Sequence, residues 1–306
     1  MDGGVDDALA LIVGLRSPEI KVVGITSVSG NVPVHQATQN ALRVVELVDR
    51  LDVWVAEGLA KPLARDPIRA FDFHGRDGLG DSHLPRPKLR VATKDALEML
   101  GESLSSSKKR GLTIVCTGPL TNIASLLKKT PDVKRQIREI VIMGGAYGIT
   151  EYGFGNETPV AEFNIFSDPE AAKAVFESGI ELKAVGLDVT TIPRLELTTS
   201  DYSRIRKARG KFAKFATRIL GRGIRVYGRF TLHDPMAVAV TISPSLYAFS
   251  DYLVSIETKG AFTSGMTVAD RRAWLPAKRL WGSKIMVCVM VDPGFKPWFL
   301  ERLTAA

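Results

Sequence analysis

Apolar residues follow two different spacings along the chain, and segments with the two spacings alternate. The helical repeat of three to four residues marks 6–17, 34–51, 95–105, 123–128, 169–178, 201–227, 235–242 and a last segment after Pro293. Short continuous apolar runs predict strands at 20–28, 53–56, 112–116, 139–143, 182–187, 252–257 and 285–291. This alternation predicts an α/β fold with an open, mainly parallel sheet and helices on both faces.

The composition adds the expectation of one globular domain over residues 1–306. The chain is 45% hydrophobic and 24% charged, with a mean hydropathy of +0.06, which is ordinary for a folded soluble protein. It shows no internal repeat, low-complexity tract or linker. No apolar run is long enough to cross a bilayer, and no signal-peptide pattern opens the chain. We therefore expect a cytoplasmic protein without a membrane partner.

Basic residues outnumber acidic ones by 41 − 33 = 8, and the excess is concentrated in residues 204–229. Such an excess can indicate nucleic-acid binding. No RNA-binding motif or zinc-finger spacing accompanies it, so we interpret the segment as two helices, broken near Gly210, with a solvated basic face. The two cysteines, Cys116 and Cys288, lie in strand-like apolar runs, which predicts buried thiols without a disulfide or metal.

Three carboxylates fall within six residues at the start of the chain: Asp2, Asp6 and Asp7. Carboxylates this close repel one another unless a cation or a proton lies between them. Clustered oxygen ligands suit a hard cation such as Ca²⁺ or Mg²⁺. The alternative is that Asp6 and Asp7 simply open a helix, where acidic side chains favour the positive end of the dipole.

Polar residues also follow most of the predicted strands, which favours the metal interpretation. They are the Asp2–Asp7 cluster, Gly30-Asn31, the loop that holds His74, Thr117, Met143 with its loop, and Asp188. Ligands of open parallel sheets bind outside the carboxyl ends of the strands. We therefore expect these groups to meet in one crevice.

The first of these motifs, Asp2-Gly3-Gly4-Val5-Asp6-Asp7-Ala8, resembles the Asp-x-Asp-Pro-Gly-x-Asp-Asp-Ala signature of the nucleoside hydrolases, the inosine–uridine-preferring N-ribohydrolases. Further motifs of that family follow in order: Gly30-Asn31, His74-Gly75, Thr117-Gly118-Pro119-Leu120-Thr121-Asn122, Met143-Gly144-Gly145, Asn156, Val160-Ala161-Glu162-Phe163-Asn164, Asp168-Pro169-Glu170-Ala171 and His233-Asp234-Pro235. The resemblance implies a Ca²⁺-dependent enzyme that hydrolyses the N-glycosidic bond of ribonucleosides, and a homodimer or homotetramer.

The resemblance also implies roles for individual residues. The Ca²⁺ ligands would be Asp2, Asp7, the backbone carbonyl of Thr117, and Asp234. The substrate contacts would be Asp6 and Asn31 at the 2′ side of the ribose, Asn164 at a ribose hydroxyl, Asn156 with Glu162 at the 5′-hydroxyl, and Met143 at the sugar ring.

Two residues are candidates for the chemistry itself. Asp2 would take a proton from the attacking water as general base. The departing base carries negative charge, and His233 is the best candidate to supply a proton or hydrogen bond to it. His74 could contact the base or be a plain loop histidine. Tyr227, with Arg222 and Arg225, lies where base recognition is expected, and a solvated basic face remains the competing account.

The chain departs from the family pattern in two places. The first aspartate of the signature and the strand before it are absent from this numbering, so we expect a truncated first strand, exposed neighbouring edges and a loosened Asp2. Gly3 stands at the signature's proline, a change expected to be sterically harmless. His233-Asp234 resembles the inosine–uridine and pyrimidine-preferring branch. None of Trp54, Trp274, Trp281 and Trp298 falls in the His74 loop, which disfavours strict purine specificity.

Two other functions remain open at this point. One is a catalytically impaired nucleoside- or ribose-binding protein of the same fold, favoured by the truncated strand. The other is a Mg²⁺-dependent phosphohydrolase, which would need a phosphate-binding nest beside Asp2, with Gly3-Gly4 as its weak candidate.

Overall fold

The computed structural model describes residues 1–272 and 282–305, so Trp274 and Trp281 lie outside the described residues. Its helices are α1 (Val5–Arg16), α2 (Val34–Val48), α3 (Phe71–His74), α4 (Ala96–Ser105), α5 (Thr121–Lys129), α6 (Phe163–Ser167), α7 (Pro169–Phe176), α8 (Leu187–Thr190), α9 (Thr199–Lys207), α10 (Lys211–Tyr227), α11 (His233–Ile242) and α12 (Phe295–Thr304). Its strands are β1 (Gly24–Thr26), β2 (Trp54–Ala56), β3 (Leu112–Cys116), β4 (Ile137–Met143), β5 (Leu182–Val185), β6 (Leu197–Thr198), β7 (Arg229–Phe230), β8 (Tyr247–Ile256), β9 (Thr267–Ala269) and β10 (Ser283–Val291).

Six strands form the main sheet, in the order β3-β4-β5-β10-β8-β9. The pairs β3–β4, β4–β5 and β5–β10 are parallel, and β8 joins β10 and β9 as antiparallel neighbours. The parallel strands therefore bring their carboxyl ends to one edge of the sheet. The predicted α/β class and mainly parallel sheet are confirmed. The antiparallel end of the sheet was not predicted, because the apolar runs did not reveal it.

Strand β4 shows why helices cover both faces of this sheet. Its residues alternate between the two sides, as in every strand: Ile140 and Ile142 enter one apolar cluster, and Val141 and Met143 enter another. The first cluster includes apolar residues of α4, α5 and α7, and the second those of α1, α2, α10, α11 and α12. Because Ile140–Met143 of β4 are buried on both sides, this part of the strand is a continuous apolar run rather than an alternating one.

Strands β1 and β2 pair in parallel as a separate two-stranded sheet. An open cleft of about 580 Å³ lies between this pair and the main sheet, lined by the edge of β1 on one side and of β3 on the other. Strand β1 covers three residues of the predicted run 20–28, which are the three residues that pair with β2. Residues Leu112–Val115 of β3 are likewise half-buried. These edges are exposed as expected.

Met1 lies at the end of this cleft, where it pairs in a parallel β-ladder with the end of β1 and the residues that follow it. Its amino group donates to the carbonyl of Thr26 at 3.1 Å, and its own carbonyl accepts from the Val28 amide at 2.9 Å. This is the bonding pattern of one residue inserted into a parallel pair. Met1 is therefore fixed in a defined register, and it delivers Asp2 to the carboxyl edge of the sheet.

The other expectations of the pattern hold in the described part of the chain. Helices α9 and α10 are separated at Gly210, and α10 buries residues such as Phe212 and Ile219 while Lys211 and Lys214 face solvent. This is the solvated basic face. Cys116 and Cys288 are buried and free. Among the described residues, no helix has the length and apolar character needed to cross a membrane.

Candidate active site

A cleft of about 400 Å³ opens at the carboxyl edge of the sheet. Loops and helix starts that follow β1, β4 and β5 supply its walls, together with the start of α11. Eleven of the thirteen residues assigned to the site from sequence line it: Asp6, Asn31, His74, Thr117, Met143, Asn156, Glu162, Asn164, Tyr227, His233 and Asp234. Asp2 and Asp7 do not line this cleft and are fully buried next to it.

The floor of the cleft is an acidic cluster built by two helix starts. Asp6 and Asp7 lie in the first turn of α1, Asp234 lies in the first turn of α11, and the two helices pack against each other. One carboxylate oxygen from each of the three lies within 4.8 Å of the others, and all three residues are buried. Packing of the largely buried helices α1 and α11 therefore brings the three carboxyl groups together.

The carboxyl groups of Asp6, Asp234 and the neighbouring Asp2 have pKa values above those of exposed carboxyl groups. Burial, reinforced by the charge of Asp7, raises the pKa of Asp6 to about 8. Burial, followed by the neighbouring aspartates, also raises the pKa of Asp234 and that of Asp2. Buried carboxylates that oppose ionisation this strongly, with oxygen donors alone, fit a hard divalent cation. The donor set contains no sulfur, which argues against softer metals.

Asp2 is held in place despite the open cleft beside β1. Its Oδ2 accepts from the backbone amide of Asn31 and its Oδ1 from the Asn31 side chain, both at 2.8 Å. A Cβ on Gly30 would lie 2.0 Å from Oδ2 of Asp2, so the glycine is needed for this close approach. The expected loosening of Asp2 is therefore wrong: Asn31 clamps the side chain and Met1 fixes the backbone.

The conformation of Gly3 also differs from the expectation. Its φ is +88°, and a Cβ there would lie 2.6 Å from Cα of Ala37. Proline is locked near −65°, so Gly3 takes a conformation that the signature's proline cannot adopt. The substitution therefore sets the path of the chain between Asp2 and α1, whereas the sequence suggested only a relaxed constraint.

Thr117 connects the sheet to the acidic cluster at the end of β3. Its hydroxyl donates to Oδ1 of Asp7 at 2.7 Å, and the other oxygen of Asp7 accepts from the amide of Gly4 at 2.8 Å. Thr117 lines both clefts, and Asp7 lines the cleft beside β1. The metal-ligand role expected of the Thr117 carbonyl stays a prediction, while its side chain orients Asp7.

The opposite wall presents the group expected around the ribose. Glu162 caps α6, and its carboxylate accepts from the backbone amides of Gly145, Asn164 and Ile165 at 2.8–3.0 Å. Burial raises the pKa of Glu162, although the three hydrogen bonds act to lower it. The side-chain amide of Asn164 donates to the carbonyl of Met143 at 3.1 Å. Asn156 accepts from the amide of Phe163 at 2.9 Å.

Two histidines, His74 and His233, line the cleft. Nδ1 of His74 accepts from the backbone amide of Val5 at 3.1 Å, and Nδ1 of His233 lies 2.8 Å from Oγ1 of Thr190. Burial lowers the pKa of each histidine to about 4. Both imidazoles are therefore neutral at physiological pH. They can donate one hydrogen bond each without carrying charge.

An aromatic pair also lines the cleft. Phe73 and Tyr227 stack at 4.7 Å between ring centroids, with 13° between their planes. The sequence identified Tyr227 but missed Phe73, although it directly precedes His74. Arg222 pairs with Asp81 at 2.8 Å and does not line the cleft, and Arg225 faces solvent. Arg225 therefore belongs to the solvated basic face, whereas Arg222 is half-buried and paired with Asp81.

Other residues of the cleft were missed because no local motif marks them. Glu196, Arg229 and Thr231 line one wall, where Glu196 is buried and accepts from Thr231 at 2.9 Å. The antiparallel pairing of β6 and β7 brings Glu196 and Arg229 together, and only the tertiary fold reveals that pairing.

Asp188, expected in the crevice, does not line the cleft. Its carboxylate accepts from the amides of Tyr147 and Ile149, so it fastens the loop after β4. The phosphate nest required of a phosphohydrolase also fails. The Gly4 amide donates to Asp7 and the Val5 amide to His74. The amides of Gly4 and Val5 are therefore already used, which argues against phosphate binding there.

Comparison with known proteins gives one consistent family. The family model described as inosine-uridine preferring nucleoside hydrolase matches residues 1–295. A pyrimidine-specific ribonucleoside hydrolase, RihA of Citrobacter koseri, is 40% identical over 312 aligned residues, which cover 99% of this chain and 96% of that relative. RihA of an Enterobacter species is 39% identical, with 99% and 95% covered.

Solved structures agree with the sequence comparison. A plant nucleoside hydrolase, PpNRh1, superposes with a TM-score of 0.90 at 30% identity, covering 100% of this chain and 98% of that chain. A purine-preferring ribonucleoside hydrolase from Gardnerella vaginalis has a TM-score of 0.89 at 34% identity, with 99% and 96% covered.

Proposed function

The chain belongs to the inosine-uridine preferring nucleoside hydrolase family and is an N-ribosyl hydrolase, and we propose that it is Ca²⁺-dependent and acts on pyrimidine nucleosides, with inosine as a further substrate. The observation that carries this proposal is the buried cluster of Asp6, Asp7 and Asp234 at the floor of a nucleoside-sized cleft. The RihA relatives, named as pyrimidine-specific, support the choice of base.

The metal would be held by Asp2, Asp7, Asp234 and the carbonyl of Thr117. The fit rests on the raised carboxyl pKa values and on the all-oxygen donor set. When bound, a divalent cation polarises water and orients a sugar diol. Asp6 shares the cluster but also lines the cleft, and we assign it to the 2′ side of the ribose.

The ribose would be oriented by side chains that the fold has already fixed. Asn31, bonded to Asp2, lines the 2′ side with Asp6. Glu162 and Asn156 face the 5′-hydroxyl, Asn164 a ribose hydroxyl, and Met143 the ring. Because three backbone amides fix Glu162, it needs little reordering on binding, which lowers the entropic cost of orienting substrate.

Hydrolysis then needs a proton acceptor for water and a donor for the departing base. With a cation beside it, the Asp2 carboxyl would be ionised and would accept a proton from water as the water oxygen bonds to C1′. The C1′–N bond breaks through an oxocarbenium-like state and its electron pair leaves with the base. Neutral His233 donates a hydrogen bond to that developing charge, and solvent supplies the final proton.

A second candidate, a nucleoside-binding protein without turnover, is favoured by one observation. The open cleft beside β1 reaches Asp7 and Thr117, so the acidic cluster is approached from a second side. The clamp of Asn31 on Asp2 argues for an active site nonetheless. We also propose a homodimer or homotetramer from the family resemblance, which light scattering would measure.

The test is release of reducing sugar from uridine, cytidine and inosine, with Ca²⁺ or with chelator. The proposal expects release that depends on Ca²⁺ and is abolished by Asp7→Ala. Full activity of Asp7→Ala, or equal activity in chelator, would overturn the metal assignment. Nucleoside binding by calorimetry without sugar release over hours would favour the binding protein instead.

A further inference from the structure

Thr190, which no sequence motif marked, makes the closest polar contact to His233. It ends α8, directly after β5, and its side chain is fully buried. Its Oγ1 lies 2.8 Å from Nδ1 of His233. Thr190 does not line the cleft and His233 does. The ring edge that carries Nε2 is therefore the edge that faces the cleft.

The direction of this hydrogen bond follows from where the hydroxyl hydrogen can go. A buried hydroxyl hydrogen needs an acceptor. Within residues 1–272 and 282–305, Nδ1 of His233 is the polar partner of Oγ1 of Thr190. If Nδ1 carried the imidazole proton, it would donate to Oγ1 and leave the hydroxyl hydrogen without an acceptor. The satisfied arrangement has Thr190 donating to Nδ1, which leaves the ring proton on Nε2.

His74 provides an internal comparison for this assignment. Its Nδ1 accepts from the backbone amide of Val5, and a backbone amide can only donate. Its ring proton is therefore on Nε2 as well. A backbone amide at His74 and a threonine hydroxyl at His233 thus both donate to Nδ1 and leave the ring proton on Nε2.

The element that carries Thr190 is itself fixed. The neighbouring Asp188 accepts from the amides of Tyr147 and Ile149, and the Thr190 amide donates to the carbonyl of Gly186 at 3.2 Å. A hydrogen-bonding group on such a held turn can hold the orientation of the ring that it contacts. Side chains that fix the tautomer and orientation of a functional histidine are a known requirement of such sites.

We propose that Thr190 is a positioning residue for His233, whose hydroxyl keeps the ring proton on Nε2 and aims it at the departing base. This rests on the proposed function, because only a reaction with a poor leaving group needs that donor. A uracil anion needs a hydrogen bond as the glycosidic bond breaks, whereas p-nitrophenolate is a stable anion. Loss of Thr190 should therefore slow one reaction and spare the other.

The kinetic experiment compares uridine with p-nitrophenyl β-D-ribofuranoside. Thr190→Val keeps the side-chain shape and removes the hydroxyl. We expect kcat for uridine to fall about 10-fold or more, within the range of general-acid effects, with kcat for the nitrophenyl riboside nearly unchanged. Thr190→Ser should restore the uridine rate. The control is Thr217→Val, which removes a half-buried hydroxyl bonded to the Ala213 carbonyl, away from the cleft.

Equal losses on both substrates would show a merely structural role, and no loss on uridine would show no role; either result overturns the proposal.

If the wild type cleaves neither substrate, the proposed function fails, and a second measurement still tests Thr190. Long-range ¹H–¹⁵N spectra report which ring nitrogen of each of the four histidines is protonated, with His233→Gln giving the assignment. We expect Nε2–H at His233 in the wild type and an altered state in Thr190→Val, with His74 unchanged in both. Nδ1–H at His233 in the wild type would overturn the proposal.

Discussion

Replacing Asp234 by asparagine should stabilise the metal-free protein while destroying its response to calcium. Asp234 is buried, its side chain accepts no hydrogen bond from a backbone amide among the described residues, and its carboxylate lies within 4.8 Å of those of Asp6 and Asp7. Asparagine keeps the shape of the side chain and removes one negative charge. The substitution therefore relieves repulsion, and the asparagine amide can still donate to Asp6, with which Asp234 shares a side-chain hydrogen bond.

Coulomb's law sets the size of the effect. Two unit charges 4.8 Å apart repel by about 3 kcal/mol at an effective dielectric constant of about 20. The free energy of unfolding should rise by up to that amount at pH 9, above the pKa of about 8 of Asp6. A carboxyl group whose pKa is higher in the folded than in the unfolded state lowers the free energy of unfolding as pH rises from the unfolded to the folded pKa. The gain of Asp234→Asn should therefore shrink towards pH 6, where the cluster holds protons.

The assay is thermal unfolding with chelator and with calcium at pH 6 and pH 9. A chain of this size shifts its Tm by about 2 °C per kcal/mol, so Asp234→Asn should unfold about 6 °C higher than wild type in chelator at pH 9. Calcium at about 100 times its dissociation constant should stabilise the wild type by about 3 kcal/mol, and the variant far less.

Asp251→Asn is the matched control, because it makes the same charge change at a half-exposed residue that pairs with Lys284. It should leave the calcium response intact. A Tm of Asp234→Asn at or below that of wild type in chelator would refute the reasoning, as would an equal calcium shift in both proteins.

Three further predictions concern the walls of the site and the sheet. Glu162→Gln should raise KM for uridine about 10-fold but not for 5′-deoxyuridine, and it should lower the free energy of unfolding by about 2 kcal/mol through loss of charge-assisted bonds. His74→Gln should flatten acid destabilisation: the folded pKa of about 4 lies below the unfolded value of 6.5, so this histidine contributes stability above pH 6.5 that is lost towards pH 4, about 3 kcal/mol at most. Hydrogen exchange should be faster at the free-edge amides of β1 and β3 than at any amide of β4.

Each of these has a contradicting outcome. Equal KM changes for uridine and 5′-deoxyuridine would remove Glu162 from the 5′-hydroxyl. A pH profile of urea unfolding that is the same for His74→Gln and wild type would show that His74 is not buried in its neutral form. Uniform protection across β1, β3 and β4 would mean that the cleft beside β1 is closed in solution.

Much of the fold follows from local pattern. Strand β3 was predicted at its observed bounds, and α2, α4 and the break between α9 and α10 were predicted within a few residues, because apolar spacing reflects the face each element buries. Strands β1 and β8 were misjudged in length, since their extent depends on which neighbours pair with them. Pairing is a tertiary property that no local window contains.

The site divides in the same way. Asp6, Asp7 and Asp234 were assigned through the family resemblance of their motifs, and the structure brings them together because each lies at a helix start. Thr190 and Glu196 could not be assigned, because each acts through a partner more than thirty residues away. The clamp on Asp2 was missed although Asn31 had been noted. Asn31 was assigned to the substrate, whereas its backbone amide and its side chain both bind the carboxylate of Asp2.

The most direct test of the central claim is a stoichiometric assay of uridine in phosphate-free buffer containing calcium. The account predicts one free ribose for each uracil released, with both products lost in chelator and reduced about 100-fold or more in Asp234→Asn, the scale expected for loss of electrostatic stabilisation. Absence of uracil from the wild-type reaction, or undiminished release by Asp234→Asn, would contradict it.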